Sequence, residues 1–173
     1  MKNWYMLTLV GEDRPGIVAA VTSALYEAGG NLGEASMMRL GGNFTIMLMV
    51  QYEGERETLE AVVEPAVKEF SLHLHLDSIV GSLHHHLTPD VRITVFGADR
   101  AGIVARVTKA LAGAGFNILD LESDVAGRED SPIYIMHIEG QAREGIDALR
   151  KALDPIAGEG VEVNIAPVDM VLG

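Results

Sequence analysis

A chain of 173 residues, 48% hydrophobic and free of cysteine, carries a formal net charge of −12 and a pI near 4.8. The lack of thiols excludes disulfide frameworks, thiolate metal centres and thiol catalysis, and fits a cytoplasmic protein. An acidic chain is repelled by a phosphate backbone, and its thirteen basic residues are scattered, so no direct nucleic-acid partner is expected.

No apolar run approaches the length of a membrane span, so no membrane partner is expected. The opening "MKNWYMLTLVGEDRPG" reads as a first strand, Trp4–Val10, and not as a signal peptide. A helix is predicted from about Pro15 to Ala28, with Ile17, Val18, Val21 and Leu25 forming one apolar stripe. Pro15 suits the first helical turn, and Gly29-Gly30 ends the helix. The segments "NLGEASMMRL" and "NFTIMLMVQY" read as strands flanking a Gly41-Gly42-Asn43 turn. In the second, Phe44, Ile46 and Leu48 alternate with Met47 and Met49, so both faces are apolar. That pattern suits an ordinary central strand or one lying at an interface. A second helix follows in "EGERETLEAVVEPAVKEF", where Pro65 predicts a kink, an early end or a restart. "SLHLHLDSIV" alternates as a strand with one covered face.

After "GSLHHHLTPD" the order repeats: "VRITVFG", a helix from about Ala101 to Ala114, "NILDLESDVA", a polar loop "GREDSP", "PIYIMHIEG", a helix from about Ala142 to Ile156, and "VEVNIAPVDMV". The βαββαβ order predicts an α+β protein with two ferredoxin-like domains. Each would be an antiparallel four-stranded sheet with two helices on one face. The expected boundaries are 1–81, a linker at 82–89, and 90–173.

The repeat is most exact in "GEDRPGIVAAVTSALYEAGGN", Gly11–Asn31, which returns as "GADRAGIVARVTKALAGAGFN", Gly97–Asn117, with 14 of 21 positions identical. Core-facing residues account for only part of this identity. Asp13/Asp99, Arg14/Arg100, Gly16/Gly102 and Asn31/Asn117 are not required by a core. Glycine lets another molecule approach the backbone closely, and a helix start offers unpaired N–H donors suited to a carboxylate. An aspartate one turn earlier can accept from an ammonium group, and the asparagine offers both donor and acceptor. Together these groups describe a site for a free α-amino acid. Taken singly, each aspartate also reads as a helix N-cap and each asparagine as a turn residue.

The motif "DRPGIVAAVTSAL…GGN", set within the βαββαβ order in both halves, resembles the ACT domains, regulatory modules that bind amino acids. The resemblance covers nearly the whole chain. It implies an effector held between paired domains by the loop after the first strand and by the asparagine opening the second. Position by position, that implicates Asp13, Arg14, Pro15, Gly16, Ile17 and Asn31, and in the second copy Asp99, Arg100, Gly102, Ile103 and Asn117. Ala101 stands where the family often has proline. The resemblance further implies a small amino-acid effector, glycine or serine, a homodimer, and a protein client. That client would be a transcription regulator contacted without DNA binding or, alternatively, an amino-acid-metabolising enzyme.

Rival chemistries find little support. His73 and His75 share one strand face and His84-His85-His86 follow, yet no patterned carboxylate or thiolate accompanies them, so no metal or cofactor is assigned. There is no P-loop, nucleophile elbow, H-E-x-x-H or dinucleotide fingerprint, so no catalytic residue is assigned either. RNA-binding sheets need exposed aromatics on a basic surface, whereas this chain is acidic and 5% aromatic. Arg14 with Asn31 weakly imitates an acyl-phosphatase phosphate loop, but the adjacent Asp13 would repel phosphate.

Overall fold

The computed structural model describes residues 3–79, 87–98, 102–128, 131–157 and 160–168. The chain divides into two compact units, Met1–Leu83 and His84–Gly173. The first unit contains β1 (Asn3–Glu12), α1 (Ile17–Glu27), β2 (Asn31–Leu40), β3 (Asn43–Tyr52), α2 (Arg56–Glu69) and β4 (His73–Ser78). The second contains β5 (Val91–Ala98), α3 (Ile103–Gly113), β6 (Phe116–Arg128), β7 (Ser131–Ala142), α4 (Ile146–Ala157) and β8 (Val161–Pro167). Each unit forms one antiparallel sheet, ordered β2-β3-β1-β4 and β6-β7-β5-β8. The predicted α+β, ferredoxin-like architecture is the one observed.

Alternation places the core. Leu7 and Leu9 of β1 and Ile46 and Leu48 of β3 lie buried beneath Val21 and Leu25 of α1 and Leu59 and Val63 of α2. In the second unit Ile93, Val95, Met136 and Ile138 meet Val107, Leu111, Leu149 and Leu153 in the same way. Each fully buried aliphatic side chain contributes roughly 1.5–3 kcal/mol. The helices thus cover one face of each sheet, and the other face carries none of its own.

Several boundaries differ from expectation. α1 begins at Ile17, two residues after Pro15, and α3 at Ile103. α2 continues through Pro65 to Glu69, with Val63 and Ala66 buried on either side of the proline. Packing there outweighs the lost helical hydrogen bond. The expected "GREDSP" loop is largely strand, with Gly127 opposite Pro132 and Arg128 opposite Ser131. Ala142 ends β7 and does not start α4, which opens at Ile146. Among the described residues no helix is long and apolar enough to cross a membrane.

Candidate functional site

The loop after β1 is tied down by backbone first. The Asp13 N–H donates to the Gly42 carbonyl at 3.1 Å, fixing the loop against the β2–β3 turn. Gly16 then adopts φ 97°, ψ −13°, the left-handed geometry of the third residue in a type II turn. Proline followed by glycine is the pair that such a turn favours. Gly16 is therefore the N-cap of α1, outside its first turn, and its carbonyl accepts from the Ala20 N–H at 2.9 Å. Gly102 repeats the geometry at φ 83°, ψ 4°, accepting from the Arg106 N–H at 3.0 Å.

A glycine cap has no side chain to receive the first-turn N–H groups. Among the described residues, neither α1 nor α3 has a side-chain cap bond or an acidic residue in its first turn. The space outside is open. Among the described residues, a β carbon on Gly102 would meet nothing within 4 Å, and one on Gly16 only the Phe70 ring at 3.5 Å. Both helix starts thus present backbone donors and the positive dipole end to an external acceptor.

The other predicted residues divide into groups. The Asp13 carboxylate lies 2.6 Å from Arg39 Nε, and Arg14 Nη2 lies 2.8 Å from Glu12 Oε2. Ile17 and Ile103 are buried, so their side chains anchor the helix starts to the core. Pro15 precedes the helix. Asp99 and Arg100 lie outside the described residues, as do Ala101 and His84–His86.

Asn31 stands apart. It opens β2 opposite Gln51, whereas Arg39, which holds Asp13, lies near the other end of the same strand opposite Phe44. Eight residues of extended chain separate them, about 26 Å. One unit alone does not bring Asn31 to the Asp13–Gly16 loop. Asn117 opens the corresponding region of β6 opposite Gln141. No hydrogen bond from either asparagine side chain is found among the described residues.

Sequence reasoning missed three residues. Arg39 escaped because the repeat does not keep it: Val125 occupies its rung, opposite Tyr134 as Arg39 is opposite Phe44. Gln51 and Gln141 escaped because they recur 90 positions apart, while the asparagines they face recur at 86. Allowing for the longer second hairpin would have revealed the repeated Asn–Gln pair.

Some copied glycines serve packing. Gly11 does not end the strand: it pairs with Phe44 inside β1, and a β carbon there would come within 2.6 Å of Leu72 Cδ2. Gly97 is crowded likewise by Val161 at 3.3 Å. Gly29 is left-handed at φ 79°. Its N–H reaches the Tyr26 carbonyl and the Gly30 N–H reaches that of Leu25, the bonding of a Schellman stop.

Two grooves lie away from these loops. One, of about 380 Å³, runs between α2 and β4 past Glu57, Glu60 and Glu64. The other, of about 210 Å³, runs between α4 and β8. Neither is lined by a loop residue, and the first is too acidic for a carboxylate ligand. His73 and His75 are exposed on β4, and His75 Nε2 lies 2.9 Å from Asp77 Oδ2.

Comparison with known proteins places these loops in a family. An ACT-domain model matches residues 5–77 and a second ACT-domain model matches residues 91–158. The glycine cleavage system transcriptional repressor of Escherichia coli is 24% identical over 139 residues, covering 80% of this chain and 73% of that protein. A UPF0237 protein of Methanococcus maripaludis is 37% identical over 78 residues, 44% of this chain and 84% of its own length. Among solved structures, an unknown protein from Galdieria sulphuraria superposes with a TM-score of 0.81 at 24% identity, covering 98% of this chain and 100% of that one. A protein described as a candidate glycine cleavage system transcriptional repressor superposes with a TM-score of 0.67 at 18% identity, covering 97% and 99%. The chain belongs to the ACT-domain family and carries two such domains.

Proposed function

We propose that this pair of ACT domains is an amino-acid-sensing regulator without catalytic activity, acting through contact with a transcription regulator. One observation carries the reading: in both units the helix after the first strand opens on a left-handed glycine, and among the described residues no side chain caps its N–H groups. An effector carboxylate is the matching acceptor. The charge term at such a terminus is only ~0.3–1 kcal/mol when exposed, so hydrogen bonds supply most of the affinity.

In the first unit Asp13 and Arg39 add a negative and a positive group 2.6 Å apart at the same loop. A zwitterion can exchange into that pair, its ammonium on Asp13 and its carboxylate toward Arg39. Asn31 is supplied from a neighbouring ACT unit. β2 is an edge strand, and antiparallel pairing of two such edges sets the start of one beside the end of the other. An effector held there bridges two units of a homodimeric assembly and stabilises one arrangement. A coupling of about 1–3 kcal/mol changes partner affinity roughly 5–150-fold. Glycine or serine is the effector class. At a ceiling of about 1.5 kcal/mol per heavy atom, glycine reaches micromolar affinity and no better.

The acidic charge favours a protein client over DNA, and the name of the E. coli relative supports a role in transcriptional control. Thermal-shift titration against the twenty amino acids tests the sensor. Selective stabilisation by glycine or serine, abolished by Asp13→Ala and by Asn31→Ala, is expected. No shift with any amino acid would sink the reading and leave an assembly module. The client is tested by affinity capture from native lysate with mass-spectrometric identification. A DNA-binding regulator is expected, whereas a metabolic enzyme would redirect the reading to a regulatory subunit.

A further inference from the structure

Sulfur is unevenly placed in the two sheets. On the helix-free face of the first, Met6 of β1 stands opposite Met49 of β3, and Met47 lies two residues from Met49, opposite Thr8. Directly opposite β carbons are about 5 Å apart and diagonal ones ~7–8 Å, spans that long side chains close. Met6, Met47 and Met49 therefore form a triangle whose flexible thioethers can turn toward one point above the sheet. Met38 of β2, opposite Thr45, sets a fourth thioether diagonal to Met47. The chain's single tryptophan flanks this group. A β carbon on Gly33 would stand 2.8 Å from Trp4 Cζ3 and 3.4 Å from Met49 Cβ, so the indole and Met49 are neighbours. No lysine or arginine lies on the rungs around the triangle, whereas Asp77 of β4 stands opposite Met6. The second unit keeps none of this. Arg92 and Glu139 replace Met6 and Met49, with Nε 2.6 Å from Oε1, and His137 replaces Met47. Its Met136 is buried on the helix side. The fold itself does not require the thioethers.

We propose that Met6, Met47 and Met49 hold one soft monovalent cation, copper(I), with the Trp4 ring against its flank. Donor chemistry selects the ion. Thioethers are soft donors that suit copper(I), whereas magnesium, calcium and manganese prefer carboxylate, carbonyl and water oxygens. Among the described residues no three of His, Asp and Glu gather to hold such an ion. In a chain without cysteine, thioethers are the soft sulfur ligands available. Charge agrees. Three neutral donors leave the ion its positive charge, which the Asp77 carboxylate one strand away and the net charge of −12 both favour. The indole agrees as well, since its π face attracts a cation, most strongly where water is displaced. The site uses no residue of the Asp13–Gly16 loop, so its test and the amino-acid titration fail separately.

Silver(I), which has the same charge and soft character and does not oxidise in air, is the first probe. The full chain, labelled with carbon-13 at its methionine methyls, is titrated with silver nitrate in chloride-free buffer. The methyl signals of Met6, Met47 and Met49 are expected to shift together and saturate at one equivalent, while Met136 stays in place. Trp4 fluorescence should be quenched over the same range. Copper(I), added without oxygen, should displace the silver, and zinc(II) should cause no quenching. Met6→Leu and Met49→Leu keep side-chain volume and should leave the far-ultraviolet circular dichroism unchanged. Each is expected to weaken silver binding about tenfold or more. His73→Gln/His75→Gln should leave the methyl shifts intact. Methyl signals that do not saturate, full affinity in a folded Met6→Leu/Met49→Leu variant, or quenching that the histidine variant abolishes would each overturn the proposal.

Discussion

Where the first unit sets Gly30 after α1 and packs Val50 of β3 against it, the second sets Phe116 and Gly140. A β carbon on Gly30 would lie 3.4 Å from Val50 Cγ1, and one on Gly140 would collide with the Asn117 carbonyl and the Phe116 ring. The bulk has changed strands while the space it fills has stayed. Val50 and Phe116 are both buried, and neither unit could accept the large residue at both places. The duplicated fold conserves filled volume, and residue identity follows only where geometry or an outside molecule demands it.

The largest test of this comparison is Gly140→Val, expected to destabilise the second unit by about 3 kcal/mol in urea unfolding. Adding Phe116→Gly removes the ring contact but not that with the Asn117 carbonyl, so the double variant should lose at least about 1 kcal/mol less than the sum of the two single losses. Simple additivity of the two changes would show that the exchange is not a packing pair. Next come Gly16→Ala and Gly102→Ala. Each forces a side chain into a left-handed backbone and should cost roughly 1–2 kcal/mol by thermal unfolding. The two costs should agree closely, since neither β carbon meets anything nearer than 3.5 Å. A large inequality would mean that the two helix starts are not equivalent.

Smaller still is the pair Arg92→Met/Glu139→Met. An exposed ion pair contributes under about 1 kcal/mol, so stability should scarcely move while self-association, read by light scattering, increases. Smallest is Arg39→Ala in the absence of effector. Arg39 is 66% exposed at its bond to Asp13, and the expected loss is a few tenths of a kcal/mol. Val125→Arg in the second unit sharpens the contrast, because amino-acid binding there should strengthen if the charged pair is what recognises the zwitterion.

The repeat and the alternation of apolar residues were enough to read the architecture. Leu7, Leu9, Ile46 and Leu48 fall on one face because a strand has a period of two, and Val21 and Leu25 on another because a helix has a period of 3.6. The glycines at 16 and 102 were legible as special, though their role as left-handed caps was not, because a cap and a first-turn residue have the same sequence signature. Arg39 was invisible. Its partner Asp13 is 26 positions away, and only the β2–β3 turn, held by the Asp13–Gly42 bond, brings them together.

The sequence alone determined what depends on local periodicity and on copying: two βαββαβ units, their buried faces, and a duplicated loop whose polar residues serve no core. Tertiary structure decided what depends on register. It separated Asn31 from Asp13 by the length of a strand, set Asn31 opposite Gln51 and Asn117 opposite Gln141, and gathered Met6, Met38, Met47 and Met49 onto one sheet face. Register is a relation between segments distant in the chain, set by turns and bulges that shift every later pairing by a residue. No single stretch of sequence contains it.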